Sequence, residues 1–428
     1  MSSLGALVST IVEKTTTLSL LLGQQNVAQP TFTEDGHNPY QGENADLRQI
    51  RYDIVRAAQD LLRLAQGPED QILQLAWSSA DTSNFGVILQ FKVAENVPFG
   101  GSVTSADLAA KVGLPEDVLL RSLRYAVGNG LFVETAPGVF AHSATSAAVA
   151  RNQSLRDIAL ASTLEQAQML LRLPETLALQ QQKKEGAEVP YAAFNLVFPK
   201  YENIFECLAK EPELAMRYHL YMMGRVKTDR WSTANMVKSW DWANVGSKAI
   251  VDVGGSAGHT CMALAEACPE AKFIIQDVDK VALEQGRQAL SSASPSLVER
   301  TSFVQHDFFQ PQTVSGDIYI FRHIFHDWSD DDTVRILKAL VPGLINGATI
   351  LVSEGIMPEP PATRTNALDE KQILIEDMFM LAVHNGRERS VEDFVKLFKQ
   401  ADARYEYITT TGGTDGAFQS TVEFKFKA

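Results

Sequence analysis

Residues 248–428 alternate between short apolar runs and amphipathic stretches. The runs have the length of strands, and the segments between them resemble helices. This alternation predicts an α/β fold with a mostly parallel sheet covered on both faces, whose ligands bind beyond the carboxyl ends of the strands. A last run of period two predicts a further strand in the edge region of the sheet. The predicted strands are KAIVDVGG, AKFIIQD, TSFVQHD, DIYIFRHIFHD, ATILVSEG and STVEFKFKA.

The N-terminal half has mostly helical periodicity. Apolar residues at positions 4, 7, 8, 11 and 12 predict a first helix, and a loop rich in Pro, Gly and Asn follows at 29–46. Helical period returns after this loop and stops at Gly67 and Pro68. Residues 150–245 are predicted to be mostly helical, and their Met and aromatic side chains suit either a core or a pocket for a flat organic ligand.

Residues 102–143 have the pattern of a winged helix-turn-helix, with two helices followed by two strands. DNA binding by this module would require positive charge on its second helix. The charges of that helix sum to zero instead, since it carries two acidic and two basic residues: Glu116, Asp117, Arg121 and Arg124. The module is therefore interpreted as a packing or dimerisation domain, and a DNA-binding regulator remains the weaker alternative.

Length, charge and cysteine content narrow the class of protein. A chain of 428 residues suggests two or three domains, and 45% hydrophobic residues are enough for a large core. The net charge of −14 disfavours nucleic acid and anionic membrane surfaces as partners. Three cysteines without metal-ligand spacing, and an N-terminus without a basic signal region, lead us to expect a cytoplasmic protein.

A glycine-rich turn and two acidic residues follow the first three predicted strands of the sheet. Gly254, Gly255 and Gly258 permit close approach of a ligand to a helix N-terminus, although they do not form the dinucleotide motif G-x-G-x-x-G. Asp277, at the end of the next strand, can accept hydrogen bonds from both hydroxyls of a ribose. Asp307 follows the third strand, where an adenine amino group could be read. An adenosine ligand without phosphates fits this arrangement.

With these residues the chain resembles class I S-adenosylmethionine-dependent O-methyltransferases of the plant phenolic and fungal polyketide group, including fungal pericyclase-type relatives. The resemblance implies a Rossmann-like seven-stranded sheet, an N-terminal helical extension with a winged-helix dimerisation domain at 1–155, and a helical substrate-binding segment with the cofactor domain at 156–428. It implies that Gly254 lines the methionine part of the cofactor, Asp277 the ribose and Asp307 the adenine. The expected cofactor site also includes Gly255, Phe308 and Arg322.

The sequence IFHDWSDDD matches the motif that carries the base of this family, with His326 as the base. A phenol has a pKa near 10, whereas an imidazole is mostly free to accept a proton at pH 7. The resemblance implies that Glu354 and Glu388 bracket His326, at spacings of 28 (354 minus 326) and 62 (388 minus 326) that match the family. The expected reaction is methyl transfer to a hydroxyl of an aromatic or polyketide-type secondary metabolite by a homodimer.

Other readings remain open. The same scaffold could hold S-adenosylmethionine for its charge and catalyse a pericyclic or dehydration step without methyl transfer. A metal site at His323, His326 and Asp327 is not expected, because residues 323 and 326 of a strand would point to opposite faces. The chain also has Arg322 and His323 where the family commonly has Lys-Trp, which affects contacts near the cofactor.

Overall fold

The computed structural model describes residues 3–36, 45–182, 190–293, 295–358, 367–413 and 417–428. The helices are α1 (Leu4–Gln24), α2 (Ala45–Gln90), α3 (Ser105–Val112), α4 (Glu116–Gly128), α5 (Ala144–Arg151), α6 (Gln153–Ala161), α7 (Ala167–Gln181), α8 (Phe194–Val197), α9 (Ile204–Lys210), α10 (Pro212–Val226), α11 (Thr233–Ser239), α12 (His259–Leu264), α13 (Lys280–Ser291), α14 (Pro295–Glu299), α15 (Asp330–Leu340), α16 (Ala367–His384) and α17 (Val391–Ala401). The strands are β1 (Val103–Thr104), β2 (Val133–Ala136), β3 (Val139–Ala141), β4 (Ala249–Val253), β5 (Lys272–Asp277), β6 (Thr301–Gln305), β7 (Gly316–Arg322), β8 (Leu344–Gly355), β9 (Tyr405–Gly412) and β10 (Gln419–Phe426).

These elements form two compact units. The first unit contains the described residues of Met1–Pro174, Phe205–Lys227 and Arg364–Leu368, and the second contains those of Glu175–Ile204, Thr228–Thr363 and Asp369–Ala428. None of the helices in the described ranges combines the length and the apolar composition needed to cross a bilayer.

The first unit begins with helices α1 and α2, which pack through Leu18, Leu22 and Leu47. The predicted break in α2 is confirmed: Gly67 has φ 78° and ψ 169°, outside the helical region, and Pro68 follows it. Of the loop predicted at 29–46, residues 37–44 lie outside the described residues.

The winged helix-turn-helix layout is also found in the first unit. Helices α3 and α4 are separated by Gly113, which ends α3 in the left-handed region at φ 73°. Strand β1, which precedes α3, and strands β2 and β3, which follow α4, form a small antiparallel sheet in the spatial order β1-β3-β2. The two arginines of α4 are paired with acids, Arg121 with Asp117 and Arg124 with Glu134.

The second unit contains the predicted sheet, with seven strands in the order β6-β5-β4-β7-β8-β10-β9. Strands β6, β5, β4, β7 and β8 are parallel, while β10 is antiparallel to both β8 and β9. The prediction for the C-terminal tail was only partly right: β10 is a strand, but it lies between β8 and β9. Strand β9, which was not predicted, forms the edge.

One face of the sheet is held by an aromatic core between β7, β8, β10 and helices α15 and α17. Phe398 of α17 stacks on Phe424 of β10, with ring centroids 3.7 Å apart and planes 5° from parallel. Tyr319 of β7 is fully buried, and its hydroxyl donates to the carbonyl oxygens of Val314 and Gly343. Val314 and Gly343 lie just before β7 and β8, so the Tyr319 contacts hold the amino ends of these strands, and the candidate base lies at their opposite, carboxyl ends.

Candidate active site

The carboxyl ends of β7 and β8 bring two of the predicted site residues together. The strands are parallel neighbours, with Arg322 opposite Ser353, so the end of β7 lies beside Glu354. After Arg322 the chain turns through His323, which has φ 53°, into a short 3₁₀ turn at Phe325–Asp327. His326 therefore projects from a turn just past the end of the sheet rather than from a strand.

Glu388 holds the ring of His326. Its Oε1 lies 2.9 Å from His326 Nδ1, and its side chain is fully buried. The other ring nitrogen, Nε2, is 3.7 Å from Asp327 Oδ1, which is beyond hydrogen-bonding distance. The imidazole is thus fixed through Nδ1, while Nε2 remains available to a reacting group.

Glu354 acts on the same residue through the backbone. Its Oε1 accepts the N–H groups of Ile324 at 3.0 Å and Phe325 at 2.6 Å, and its Oε2 is buried without a hydrogen-bond partner. These bonds hold the turn that carries His326. Of the two glutamates expected to bracket the histidine, Glu388 bonds the ring and Glu354 bonds the main chain beside it.

The charges around His326 raise its pKa. Burial lowers it, but the charges of Glu388 and Asp327, the hydrogen bond to Glu388 and the charge of Glu354 outweigh burial and raise the pKa to about 10. Burial also raises the pKa of Glu354 to about 7, although the charge of His326 opposes this shift. Near neutral pH the imidazole of the free protein therefore carries a proton.

The segment before α17 positions Glu388. Asn385 has φ 52°, and a Cβ at Gly386 would overlap the carbonyl oxygen of His326. The N–H of Arg387 donates to that carbonyl at 3.1 Å, and the N–H of Glu388 donates to Asp377 at 2.9 Å. Ser390 is the N-cap of α17, and its hydroxyl oxygen accepts the N–H of Asp393.

The expectation that the side chains of His323 and His326 point to opposite faces was wrong. Their rings stack with centroids 5.3 Å apart and planes 30° from parallel, because β7 ends at Arg322 and the alternation of faces ends with it. The described part of the chain contains no group of three or more His, Cys, Asp and Glu residues arranged to hold a metal ion.

The glycine-rich turn lies at the end of β4, as expected. Gly254 has φ 72°, and a Cβ there would lie 2.5 Å from Ile324 Cδ1, so the position requires glycine. At Gly255 a Cβ would be 2.6 Å from Asp252 Cγ. Gly258 has φ 79° and precedes α12, the helix expected after this turn, which begins at His259.

Asp277 ends β5 and faces this turn. Its Oδ2 accepts the N–H of Ser256 and its Oδ1 accepts the N–H of Asp279, both at 2.9 Å. Burial raises the pKa of Asp277, while these hydrogen bonds lower it. Each carboxylate oxygen has a second lone pair for a ligand hydroxyl.

Asp307 and Phe308 follow β6. Asp307 accepts the N–H of Phe309 at 2.9 Å in a local turn, and Phe308 packs edge-to-face on Trp328 with centroids 5.8 Å apart. A Cβ at Gly254 would be 3.6 Å from the ring of Phe308, so the ring borders the glycine turn. The structure thereby brings Gly254, Gly255, Asp277 and Phe308 to neighbouring strand ends.

Arg322 is also at this rim, but its hydrogen bonds go to the protein. With the Gln419 amide turned so that its oxygen faces donors, it accepts from Arg322 at 2.7 Å and from His323 at 2.8 Å. The Arg322 charge also acts on Asp252 of β4, which sequence reasoning missed. Burial raises the pKa of Asp252 to about 6, while the hydrogen bond from Cys261 and the charge of Arg322 lower it.

Three further residues beside the candidate base were not predicted. Asp327 lies between two histidines, 3.3 Å from His384 Nε2 as well as 3.7 Å from His326 Nε2. Arg389 is fully buried against the turn that carries His326. Asp327 and Arg389 are sequence neighbours of His326 and Glu388, which is the one signal that could have identified them.

Comparison with known proteins identifies the family of the chain. A family model described as an O-methyltransferase domain matches residues 178–404, more than half of the chain. The grayanic acid biosynthesis cluster O-methyltransferase of Cladonia grayi is 29% identical over 411 residues, which cover 95% of this chain and 84% of that protein.

Solved structures show the same fold. OxaC in complex with SAH and oxaline superposes with a TM-score of 0.73 at 21% identity, over 99% of this chain and 100% of OxaC. A protein described as a pericyclic reaction enzyme superposes with a TM-score of 0.69 at 20% identity, over 98% of this chain and 100% of that one. From the match to the domain model and the near full-length relative, the chain belongs to the O-methyltransferase family.

Proposed function

We propose that this protein transfers the methyl group of S-adenosylmethionine to a hydroxyl of an aromatic or polyketide-type secondary metabolite, with His326 as general base. The observation that carries the proposal is the contact of 2.9 Å between His326 Nδ1 and Glu388, which leaves Nε2 to the acceptor. When bound, S-adenosylmethionine supplies an electrophilic methyl group on a positively charged sulfonium.

The residues of the glycine-rich turn fit this cofactor. Gly254 and Gly255 would admit its methionine part, and the free lone pairs of Asp277 would accept the ribose hydroxyls. Asp307 and the ring of Phe308 are proposed for adenine. Arg322 is proposed to act on this site through its charge, because it donates hydrogen bonds to Gln419 and to the carbonyl oxygen of Trp231.

His326 is matched to a phenolic acceptor. Its pKa of about 10 is close to that of a phenol, so transfer of the phenol proton to Nε2 is nearly balanced in free energy. Glu388 stabilises the resulting imidazolium, and Glu354 keeps the turn in place. The same pKa means that the neutral imidazole is the minor form at pH 7, so activity should rise in alkaline solution.

The test is His326→Ala assayed with S-adenosylmethionine and a panel of phenols and hydroxylated polyketides. Wild-type protein should release S-adenosylhomocysteine stoichiometrically with a product heavier by one methyl group, and the variant should lose turnover while binding S-adenosylhomocysteine normally. A variant that methylates at the wild-type rate would remove His326 from the role of base.

A pericyclic or dehydration reaction is the second candidate. The protonated state of His326 at neutral pH favours it, since an imidazolium can donate a hydrogen bond to a developing negative charge. Product formation without release of S-adenosylhomocysteine would select this candidate over methyl transfer.

We also propose a cytoplasmic homodimer, with residues 1–155 as the dimerisation domain and 156–428 as the substrate- and cofactor-binding part. All three cysteines are free and buried, as suits a reducing compartment. Apolar side chains of α1 are exposed at helical spacing: Leu4, Val8 and Val12 are 52%, 47% and 59% exposed. Such a face is typical of a subunit interface.

A further inference from the structure

Arg389 is the largest fully buried charged side chain of the described residues, and it lies next to the candidate base. Its Nη1 donates to the carbonyl oxygen of Phe325 at 2.6 Å, and its Nη2 donates to that of Trp328 at 2.8 Å. Nε and Nη2 also donate to Asp330 Oδ1, at 3.0 Å and 2.8 Å. A charge buried this completely is expensive unless its donors are used, and here all three guanidinium nitrogens donate, in four hydrogen bonds.

The two carbonyls bound by Arg389 lie on either side of His326 in the chain. Phe325 immediately precedes it and Trp328 follows two residues later, so the fork fixes both ends of the short turn. The residue before Arg389 is Glu388, which holds the His326 ring. One short segment therefore sets the position of the histidine backbone and the direction of its ring.

Arginine is needed for this contact. Its planar fork reaches three oxygens from three residues at once, whereas a lysine ammonium in the same place is a single point on a flexible stem. Its charge also acts on Glu354 and lowers the pKa of that carboxyl. Arg389 thus favours the ionised form of Glu354 while it holds the turn.

We propose that Arg389 is a positioning residue for His326: its fork between Phe325, Trp328 and Asp330 keeps the imidazole aligned with Glu388 and with the acceptor hydroxyl. This inference rests on the proposed function of His326 as general base. A residue that only stabilised the fold would hold α15 and α17 together without changing how His326 exchanges protons, and this difference can be measured.

The first test compares Arg389→Lys with Arg404→Lys. Arg404 forms a similar two-pronged pair with Asp402, at 2.9 Å and 2.7 Å, but it is 46% exposed on the surface. Arg389→Lys should lower kcat for an ordinary phenol by about 100-fold, as expected for a misplacement near 1 Å, with S-adenosylhomocysteine affinity unchanged. Arg404→Lys should keep wild-type kcat. Wild-type kcat in Arg389→Lys would overturn the proposal.

The acidity of the acceptor separates positioning from a structural role. A polychlorinated phenol is already ionised at neutral pH and needs no base, so the loss in Arg389→Lys should shrink strongly for it. Equal losses for both phenols would mean that Arg389 does not act through His326. In the double variant with His326→Ala, Arg389→Lys should cause no further loss for the ordinary phenol, whereas an independent role would add its full effect.

An NMR titration of His326 tests the positioning role without measuring turnover, so it does not depend on the proposed function. In protein labelled with ¹⁵N-histidine, His326→Ala identifies the signal of His326 among eight histidines. Arg389→Lys should lower the pH at which that signal titrates, because the ring loses its alignment with Glu388, and an unchanged titration would refute the inference. If the lysine variant does not fold, Asp330→Asn, which keeps both carbonyl bonds, should show a smaller shift in the same direction. No shift in a folded Asp330→Asn would then refute it.

Discussion

Two glutamates of similar burial act on one histidine in different ways. Glu388 contacts the ring and raises its basicity, whereas Glu354 accepts two backbone N–H groups; each keeps one buried oxygen without a partner. The charges of Glu354 and His326 act on each other, so their protonation is coupled. The ring contact therefore determines the base strength of His326, and the backbone contact determines its position.

Glu388→Gln separates base strength from position. The substitution removes a negative charge and a charged acceptor, which together raise the pKa of His326. We expect the rise of kcat/KM with pH to begin at a lower pH than in the wild type, with a lower maximum because the imidazolium loses its partner. Glu392→Gln is the control, since Glu392 is 63% exposed and forms a surface ion pair with Lys396. A pH profile that does not move would show that Glu388 does not set the pKa of His326.

Asp277→Ala tests the proposed ribose contact. Loss of hydrogen bonds to a charged acceptor costs about 1.5–3 kcal/mol, so S-adenosylhomocysteine should bind about 10- to 100-fold more weakly by calorimetry. Glu284→Ala on α13, 57% exposed, should bind like the wild type. Unchanged affinity in Asp277→Ala would place the ribose elsewhere.

At the scale of single residues, the sequence identified site residues by their chemistry and by the family resemblance, but it did not predict which atoms they contact. His326, Glu354 and Glu388 were identified because a motif and two spacings agreed, yet which glutamate bonds the ring depends on a turn that no local pattern encodes. Arg389 is hard to identify from sequence, because two of its three partners are carbonyl oxygens that every residue possesses and the third, Asp330, is 59 positions away. The stacking of His323 on His326 was missed because one residue at φ 53° ended the alternation of the strand.

Among the elements, the parallel strands were predictable and the last edge strand was not. Strands β4, β5, β7 and β8 are apolar on both faces because helices cover them, so their sequences are continuous apolar runs. Strand β9 is mostly exposed, and its sequence, YEYITTTG, has little hydrophobic content to mark it. Its main-chain pairing with β10 stabilises β9 as a strand, although its own sequence does not mark it as one.

Helix α1 carries a prediction about assembly. Its buried face packs on α2 through Leu18 and Leu22, and its exposed face presents Val8 and Val12. The double substitution Val8→Asp, Val12→Asp places two charges in the proposed interface and should convert a dimer into a monomer by light scattering. Val298→Asp, at a valine 40% exposed on α14, should leave the mass unchanged. A wild-type protein that is already monomeric would exclude the homodimer.

For the whole molecule, the protonation of His326 links the site to the stability of the fold. The folded pKa of about 10 lies above the unfolded value of about 6.5, so folding increases proton affinity at this residue. Protonated His326 therefore stabilises the folded protein, fully below pH 6.5 and progressively less as pH rises through 10. Glu354 also contributes less stability as pH rises, but over a lower pH range than His326. Its pKa is raised to about 7, so its ionisation is unfavourable in the folded state.

His326→Asn isolates this contribution. The difference in unfolding free energy between the wild type and this variant should be largest near pH 6.5 and should decrease steadily toward pH 10, measured by denaturant unfolding at each pH. His142→Asn is the matched control, because His142 is also buried but its pKa is lowered, chiefly by burial. A lowered pKa keeps the folded imidazole neutral above pH 6.5, so the His142 difference should be flat between pH 7 and pH 10. If the difference for His326 is equally flat, the carboxylates around this ring do not raise its pKa. The imidazole would then not match the pKa of a phenol, and that part of the proposed mechanism would be wrong.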